Sequence, residues 1–231
     1  MRSERRLSLT LTLLLVTSAL LPVPASAQGR HPEWMYEAVA ELFKKFNFVE
    51  ALREVLYPEL KSPKGFEILN EFGGEDAVRK MLEGWGLTQK QIDEVIKGLA
   101  TNARVNRKFD QKFAARGLSF IHFYVEIKSR NDLSSNVVQT VREALCDAYL
   151  ARKEEAVVWV TDGRPSSIWS QRVVDFLRAN NVGVATSLHD ADKAREALDT
   201  MSRSAYRVPL GALIQTVKSK AKDVAEFFRS H

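Results

Sequence analysis

The spacing of hydrophobic residues changes near residue 101. Upstream, apolar residues recur every three or four positions, first across residues 33–56 ("EWMYEAVAELFKKFNFVEALREVL"), which predicts an amphipathic helix. Prolines and a glycine interrupt the pattern in "YPELKSPKG", and three shorter helices are predicted from there to residue 100, the last of them after the cap residue Thr88. The spacing therefore predicts that residues 28–100 form an all-helical accessory domain.

Downstream, the polarity of the side chains alternates and predicts β-strands. Two strands are expected on either side of a turn at Gly117, and the second, "LSFIHFYVEIK", ends with Glu126 and Lys128. Because successive side chains of a strand point to opposite faces, these two charges share a face, with Cβ atoms roughly 7 Å apart. The apolar run "AVVWVT" (156–161) is typical of a strand that is covered on both faces. Helical patterns separate the later strands, so the predicted fold is α/β, with a mixed central sheet flanked by helices.

The first 27 residues have the pattern of an export signal. "MRSERR" is basic, "LSLTLTLLLVTSALL" is apolar, and "ASA" is a small-x-small cleavage site before Gln28. We therefore expect a signal peptide over residues 1–27 and an exported product, periplasmic or secreted, with no membrane segment in its mature form. A translation start at Met35 is the alternative, and it predicts a cytoplasmic protein.

Charge is unevenly distributed along the 231 residues, whose formal net charge is +5. Residues 28–100 carry 10 Lys/Arg and 13 Asp/Glu, whereas residues 101–231 carry 21 and 15. A basic second half favours an anionic partner such as nucleic acid, and a solvated surface is the alternative. The single cysteine, Cys146, excludes an intrachain disulfide and a cysteine-based zinc site, and its helical neighbours predict that it is buried.

Glu126 and Lys128 stand out because they end a strand that is otherwise apolar or aromatic. Burying a charge without a partner is costly, so the two residues need a common explanation. They form either an ion pair at the surface, worth roughly 0–1 kcal/mol, or a functional site.

The order of motifs around this pair resembles that of the PD-(D/E)xK nuclease superfamily. Asp110 precedes Glu126 by 16 residues, and a helix and an apolar strand follow. "VEIKSRND" is similar to the Glu-x-Lys-Ser-Arg segment of archaeal Holliday-junction resolvases, and "VVWVTDGRPSSIWSQRVVDFLRANNVGVATS" is similar to the tail of Mrr-like restriction endonucleases. The resemblance covers about residues 104–190. It implies a restriction-endonuclease-like fold, with residues 101–231 as the nuclease domain.

The resemblance implies a metal-dependent endonuclease that hydrolyses DNA. Asp110 and Glu126 would bind Mg²⁺ or Mn²⁺, and Lys128 would act on the attacking water or on the charge that develops at the phosphate. Gln139, on the next helix, would be a polar catalytic helper. Mg²⁺ prefers oxygen ligands and acidifies a bound water, which suits phosphodiester hydrolysis.

Two features depart from the family pattern. Phe109 stands where the family has a proline before the aspartate. The family often has a further glutamate on a helix that precedes the sheet, and the sequence leaves its identity open between Glu94, Glu37 and Glu41.

Basic residues crowd the first of the two predicted strands and suggest contacts with phosphate groups. The candidate nucleic-acid contacts are Arg104, Arg107, Lys108, Lys112, Arg116 and Arg130. A charged edge strand that resists aggregation would have the same composition.

Three functions are compatible with these patterns. The first is a DNA endonuclease, with RNA as the alternative substrate. The second is a non-catalytic nucleic-acid-binding module of the same fold, which the missing proline favours, and the third is an exported interaction protein. Resolvases and many restriction enzymes are dimers, so the last predicted helix (about 214–228) either serves a homodimer or packs on the sheet.

Overall fold

A computed structural model of the chain describes residues 31–130 and 132–205. The predicted signal peptide and the last predicted helix lie outside these residues. None of the described helices is long and apolar enough to cross a membrane.

In the described residues after residue 107, two consecutive strands are followed by helices that separate the later strands. In chain order the elements are α1 (Glu33–Lys44), β1 (Phe48–Leu56), α2 (Gly65–Glu71), α3 (Glu75–Gly84), α4 (Gln89–Leu99), β2 (Lys108–Ala115), β3 (Leu118–Lys128), α5 (Asp132–Ser135), α6 (Val137–Arg152), β4 (Val157–Thr161), α7 (Ile168–Ala179), β5 (Gly183–Ala185) and α8 (Ala191–Ala205). A single 3₁₀ turn (Glu59–Lys61) follows β1.

The strands form one five-stranded mixed sheet in the order β1-β2-β3-β4-β5. The first three strands are antiparallel, and β3, β4 and β5 are parallel, because helices connect them. The prediction of an α/β fold with a mixed sheet flanked by helices is therefore confirmed. The turn predicted at Gly117 joins β2 to β3, and its φ of 79° is in the left-handed region that glycine adopts easily.

Each face of the sheet is covered by helices and has its own hydrophobic cluster. Residues of α2, α3, α4, α6 and α7 pack on one face, which we call the α6 face, together with Tyr124 and Trp159. Residues of α1 and α8 pack on the other, the α1 face, together with Phe123, Val125 and Ile127. Strand β3 therefore alternates between the two faces as its sequence predicts.

Residues 33–56 are a helix and a strand, not the single helix that the apolar spacing predicts. Helix α1 ends at Lys44, and the chain turns at Asn47, whose φ is 67°. From Phe48 onward the backbone pairs antiparallel with β2. Alanine, leucine, glutamate and arginine are good helix formers, so local propensity favours a helix here, and long-range pairing with β2 overrides it.

The prediction of an all-helical segment before residue 101 is wrong for the same reason. Strand β1 belongs to the sheet. Helices α2 and α4 pack against α6, and α3 packs against α2 and α4, in a cluster that joins Ile68, Val95 and Leu99 to Val141 and Trp159. In the described residues, the parts of the chain before and after residue 101 thus share one sheet and both of its hydrophobic clusters.

Candidate functional site

Glu126 and Lys128 end β3 on the α6 face, and both side chains are buried. The solvent-exposed fraction of their side chains is 0% and 6%. The Lys128 ammonium donates to Glu126 Oε1 at 2.5 Å and also to Glu143 Oε2. It lies 5.2 Å from the centre of the Trp159 ring, which is a favourable position for a cation. The pair is therefore not an ion pair at the surface.

Arg107, just before β2, supplies a second buried cation. Its Nη2 donates to Glu126 Oε2 at 2.8 Å, and Nε and Nη2 hold the two oxygens of Asp147 at 2.7 Å each. Its Nη1 donates to the Lys108 carbonyl at 2.7 Å. The two parallel hydrogen bonds from Arg107 to Asp147 form the bidentate geometry that is strongest between a guanidinium and a carboxylate. Each oxygen of Glu126 therefore accepts a hydrogen bond from a cation of the protein itself.

Helix α6 contributes the other acids of the site. Gln139, Glu143 and Asp147 follow one another at four-residue steps and so share one side of the helix. Gln139 donates to Glu143 Oε1 at 3.1 Å, and Trp159 Nε1 donates to Asp147 Oδ2 at 2.7 Å. We call the group Arg107, Glu126, Lys128, Glu143 and Asp147 the ion network. It contains three carboxylates and two cations, and it joins the segment just before β2 to β3 and α6.

Burial and neighbouring charges shift the pKa values within the ion network in different directions. Burial raises the pKa of Glu126 above its ordinary value, although Arg107 and Lys128 oppose this rise. Burial acts against ionisation of Glu143 too, but Lys128 and Arg107 outweigh it and lower the pKa of Glu143 to about 2. Burial disfavours the charged form of Lys128, yet Glu126 and Glu143 outweigh it and raise the pKa of Lys128. Lys128 and Glu143 are therefore both charged at neutral pH.

Asp110, the second predicted metal ligand, has different partners from those of Glu126. Its Oδ2 accepts the backbone N–H of Ile127 at 2.7 Å and lies 3.7 Å from His31 Nε2, close to the start of α1. The pairing of β2 with β3 ends at Gln111 and Val125, so the Asp110 carboxylate takes the next backbone donor of β3. Its negative charge also contributes to a raised pKa of Tyr36, after burial and the hydrogen bond to Glu54.

The ion network does not fit a divalent cation as it is arranged here. Both Glu126 oxygens face cations, and a metal ion at either oxygen would be repelled by Arg107 or Lys128 unless that side chain moved away. Among residues 31–130 and 132–205, no three His, Cys, Asp or Glu side chains form a group suited to hold a metal. The predicted pair of Asp110 and Glu126 therefore remains a prediction, and no reaction step through a metal follows from this geometry.

The three candidates for an additional glutamate lie outside the ion network. Glu37 and Glu41 are exposed on α1, and Glu41 pairs with Lys44 at 2.9 Å. Glu94 is on the exposed side of α4, where it lines a cavity described below.

The predicted nucleic-acid contacts have several different surroundings. Arg107 is buried inside the ion network, so its predicted role in contacting phosphate does not fit the structure. Lys108 pairs with Glu54, and Lys112 lies 5.3 Å from the centre of the Tyr124 ring. Arg116 and Arg130 are exposed, and Arg104 is exposed while its Nη1 donates to the carbonyls of Leu60 and Ser62. Of the six residues, Arg107 alone is buried, and the other five stay predicted contacts.

Two cavities lie beside the ion network, between α4 and α6. The first, of about 330 Å³, also borders the segment 101–108, and Arg107 and Glu143 form part of its wall. The second, of about 560 Å³, lies near the start of α6. Gln139 and Arg142 line both cavities, so we call the two together the α4–α6 cleft. The side chain of Glu143, which is 11% exposed, is a point where the ion network meets this cleft.

The sequence predicts Gln139, Glu126 and Lys128 as neighbours, and the structure brings them together around Glu143. It does not predict Glu143, Asp147 or Trp159 as members of the site, and it predicts Arg107 only as a nucleic-acid contact. One signal was present: acids at a four-residue step on a helix whose other positions are largely apolar, which indicates carboxylates that face the core. Arg107 carried no comparable signal, because its burial depends on how β2 meets α6.

Comparisons with models of protein families, with curated proteins and with solved structures give no match to this chain. The resemblance to PD-(D/E)xK nucleases therefore rests on the residues quoted above.

Proposed function

We propose that this chain binds nucleic acid in the α4–α6 cleft, and that the ion network supports the wall of this cleft. The observation that carries the proposal is the position of the internal cations, Arg107 and Lys128, at 2.8 and 2.5 Å from the two oxygens of Glu126. In a metal-dependent nuclease this carboxylate would have to bind the metal ion. Here the protein neutralises it from within, which suits a module that binds without cutting.

The charges of the cleft favour an anionic partner. Its basic lining residues are Lys90, Arg104, Arg107, Lys108 and Arg142, and its acidic ones are Glu94 and Glu143. Arg107 and Lys108 pair with carboxylates. The remaining basic lining residues, Lys90, Arg104 and Arg142, still outnumber the two acidic ones. Positive charge along a groove is the main source of affinity for the phosphate backbone.

The arrangement of strands supports a restriction-endonuclease-like fold as part of this proposal. Asp110 lies on β2 and the Glu126–Lys128 pair on the antiparallel strand β3, after which α6 and the parallel strand β4 follow. This is the order of motifs on which the resemblance rests.

A binding assay tests the proposal directly. Labelled DNA and RNA oligonucleotides are titrated with the wild-type chain in the presence of a chelator, from low to moderate salt. We expect binding without divalent cations and a fall in affinity as salt rises, because counterions are released from the phosphates. If the chain binds neither DNA nor RNA at low salt, the proposal is wrong and an interaction protein remains.

A metal-dependent endonuclease is the second candidate function, and one observation favours it. Lys128, Glu143 and Gln139 are linked by hydrogen bonds, and Glu143 and Gln139 line the cleft. A phosphate in the cleft would therefore lie close to the residues that the resemblance makes catalytic.

A plasmid-nicking assay with Mg²⁺ or Mn²⁺ separates the two candidates. Under the first proposal the wild type nicks no more than the Glu126→Gln variant does. If the wild type and the surface control Glu41→Gln nick the plasmid and Glu126→Gln does not, the second candidate is established. Thermal unfolding of both variants shows whether a loss comes from the site or from the fold.

A further inference from the structure

The first cavity of the cleft has the size and lining of a site for one small ligand. Its volume of about 330 Å³ is at the lower end of the range for ligand sites, which is ≈ 300–1,000 Å³. Ala103 and Val105 contribute apolar surface, Asn106 and Gln139 contribute amide groups, and Arg104 and Arg142 contribute positive charge. An apolar wall beside amides and cations is suited to a base joined to a phosphate.

Arg142 lines both cavities and lies close to Gly98, which has no side chain to block this approach. A Cβ added to Gly98 would lie 2.8 Å from the Cδ of Arg142 and still closer to its Nη1. The arginine therefore crosses directly over the backbone of α4. Glycine in the last turn of a helix lowers helix stability relative to alanine, so its presence here is consistent with a need for this close approach.

The guanidinium of Arg142 is available to a ligand. Among the described residues, it has no hydrogen bond or ion pair to another side chain or to the backbone. A guanidinium has five N–H donors in a fixed plane, and phosphate is an acceptor that matches this geometry. In contrast, the guanidinium of Arg107 is fully engaged by the ion network.

We infer, on the basis of the proposed function, that this cavity takes one nucleotide of a single-stranded segment or of a strand end. The phosphate binds Arg142, and the base lies against Ala103 and Val105. A base inside a duplex is paired and stacked, and it enters a cavity of this size only after unstacking, at a cost of a few kcal/mol. A base in a single strand already has an accessible face. The cavity therefore selects unpaired nucleotides.

Three variants test the role of Arg142 in binding a labelled single-stranded oligonucleotide. Arg142→Gln removes the charge, and we expect affinity to fall about tenfold, as for loss of a hydrogen bond to a charged group. The dependence of log affinity on log salt should weaken by about one unit. Gly98→Ala keeps the charge but displaces the guanidinium, so affinity should fall while thermal stability stays equal or rises. Arg172→Gln, at an exposed arginine on α7, is the control and should bind as the wild type does.

The second part of the experiment compares a single strand with a blunt duplex of the same sequence at the same salt concentration. We expect the single strand to bind the wild type at least about tenfold more tightly. Equal affinity for the single strand and the duplex would overturn this inference and leave the proposed function intact. The same conclusion would follow if Arg142→Gln and Gly98→Ala both bound the single strand as tightly as Arg172→Gln does. Failure of the wild type to bind any nucleic acid would overturn the proposed function itself.

Discussion

The guanidinium of Arg107 lies 2.8 Å from the carboxylate of Glu126, in the interior of the protein. The same guanidinium makes two bonds to Asp147, so it is fixed from two sides. Lys128 completes the neutralisation of Glu126 from the other side. Both oxygens of Glu126, which the resemblance to nucleases makes a metal ligand, therefore already accept hydrogen bonds from cations of the protein.

Replacing Arg107 with methionine should strongly destabilise the protein. The substitution keeps much of the side-chain volume but leaves Glu126 and Asp147 with less positive charge in the interior. Breaking a buried ion pair from one side costs about 3–5 kcal/mol. The free energy of unfolding, measured by denaturant titration, should fall by this amount.

The matched control is Arg172→Met on α7, where the arginine is exposed. We expect a change within about 0.5 kcal/mol for this variant. If Arg107→Met cost no more than Arg172→Met, the ion network would have no structural role.

Glu143 should make stability depend on pH in the acid range. Its pKa in the folded protein is about 2, below the ordinary value of 4.5, so its contribution is complete above the ordinary value and is lost as pH falls through the folded-state value. From pH 5 to pH 2 the wild type should lose about 3 kcal/mol more stability than Glu143→Gln does. Glu83→Gln, on the exposed side of α3, should follow the wild type. If stability falls with pH in parallel for all three proteins, Glu143 does not cause this loss.

Trp159 should contribute through its indole N–H as well as through its size. Trp159→Phe keeps an aromatic ring in the core but removes the donor to Asp147, and a hydrogen bond to a charged group is worth about 1.5–3 kcal/mol. Trp34→Phe is the control, because Trp34 is 50% exposed on α1. The free energies of unfolding of the two variants, measured by denaturant titration, should differ by at least about 1 kcal/mol. Equal unfolding midpoints for the two variants would show that the hydrogen bond from the indole to Asp147 does not stabilise the protein.

The start of the mature chain is also open to measurement. The signal-peptide pattern predicts that mass spectrometry of the exported protein finds Gln28 as the first residue. A first residue at Met35 would contradict export. It would also remove His31, which lies 3.7 Å from Asp110.

The local pattern of β3 was sufficient to predict which side chains share a face. Tyr124, Glu126 and Lys128 lie on one face and Ile127 on the other, because alternation depends only on the strand itself. The helices α2, α3 and α4 were predictable for a similar reason, since their caps and apolar spacing are local.

Features that depend on long-range pairing could not be predicted. Strand β1 contains good helix formers and becomes a strand through its pairing with β2. Phe109 and Phe113 should share a face by strict alternation, yet they pack in different clusters, because the regular pairing of β2 with β3 ends at Gln111. This irregularity gives Asp110 its contact with Ile127, and the sequence contains no sign of it.

Because Arg107 and Lys128 neutralise Glu126 from within, we expect this carboxylate to bind no divalent metal ion. Calorimetric titration of the full chain with Mn²⁺ near neutral pH tests it most directly, with Glu126→Gln measured in parallel. The two proteins should give the same titration, without a Mn²⁺ site that depends on Glu126. One-site binding of Mn²⁺ in the wild type that disappears in Glu126→Gln would contradict it.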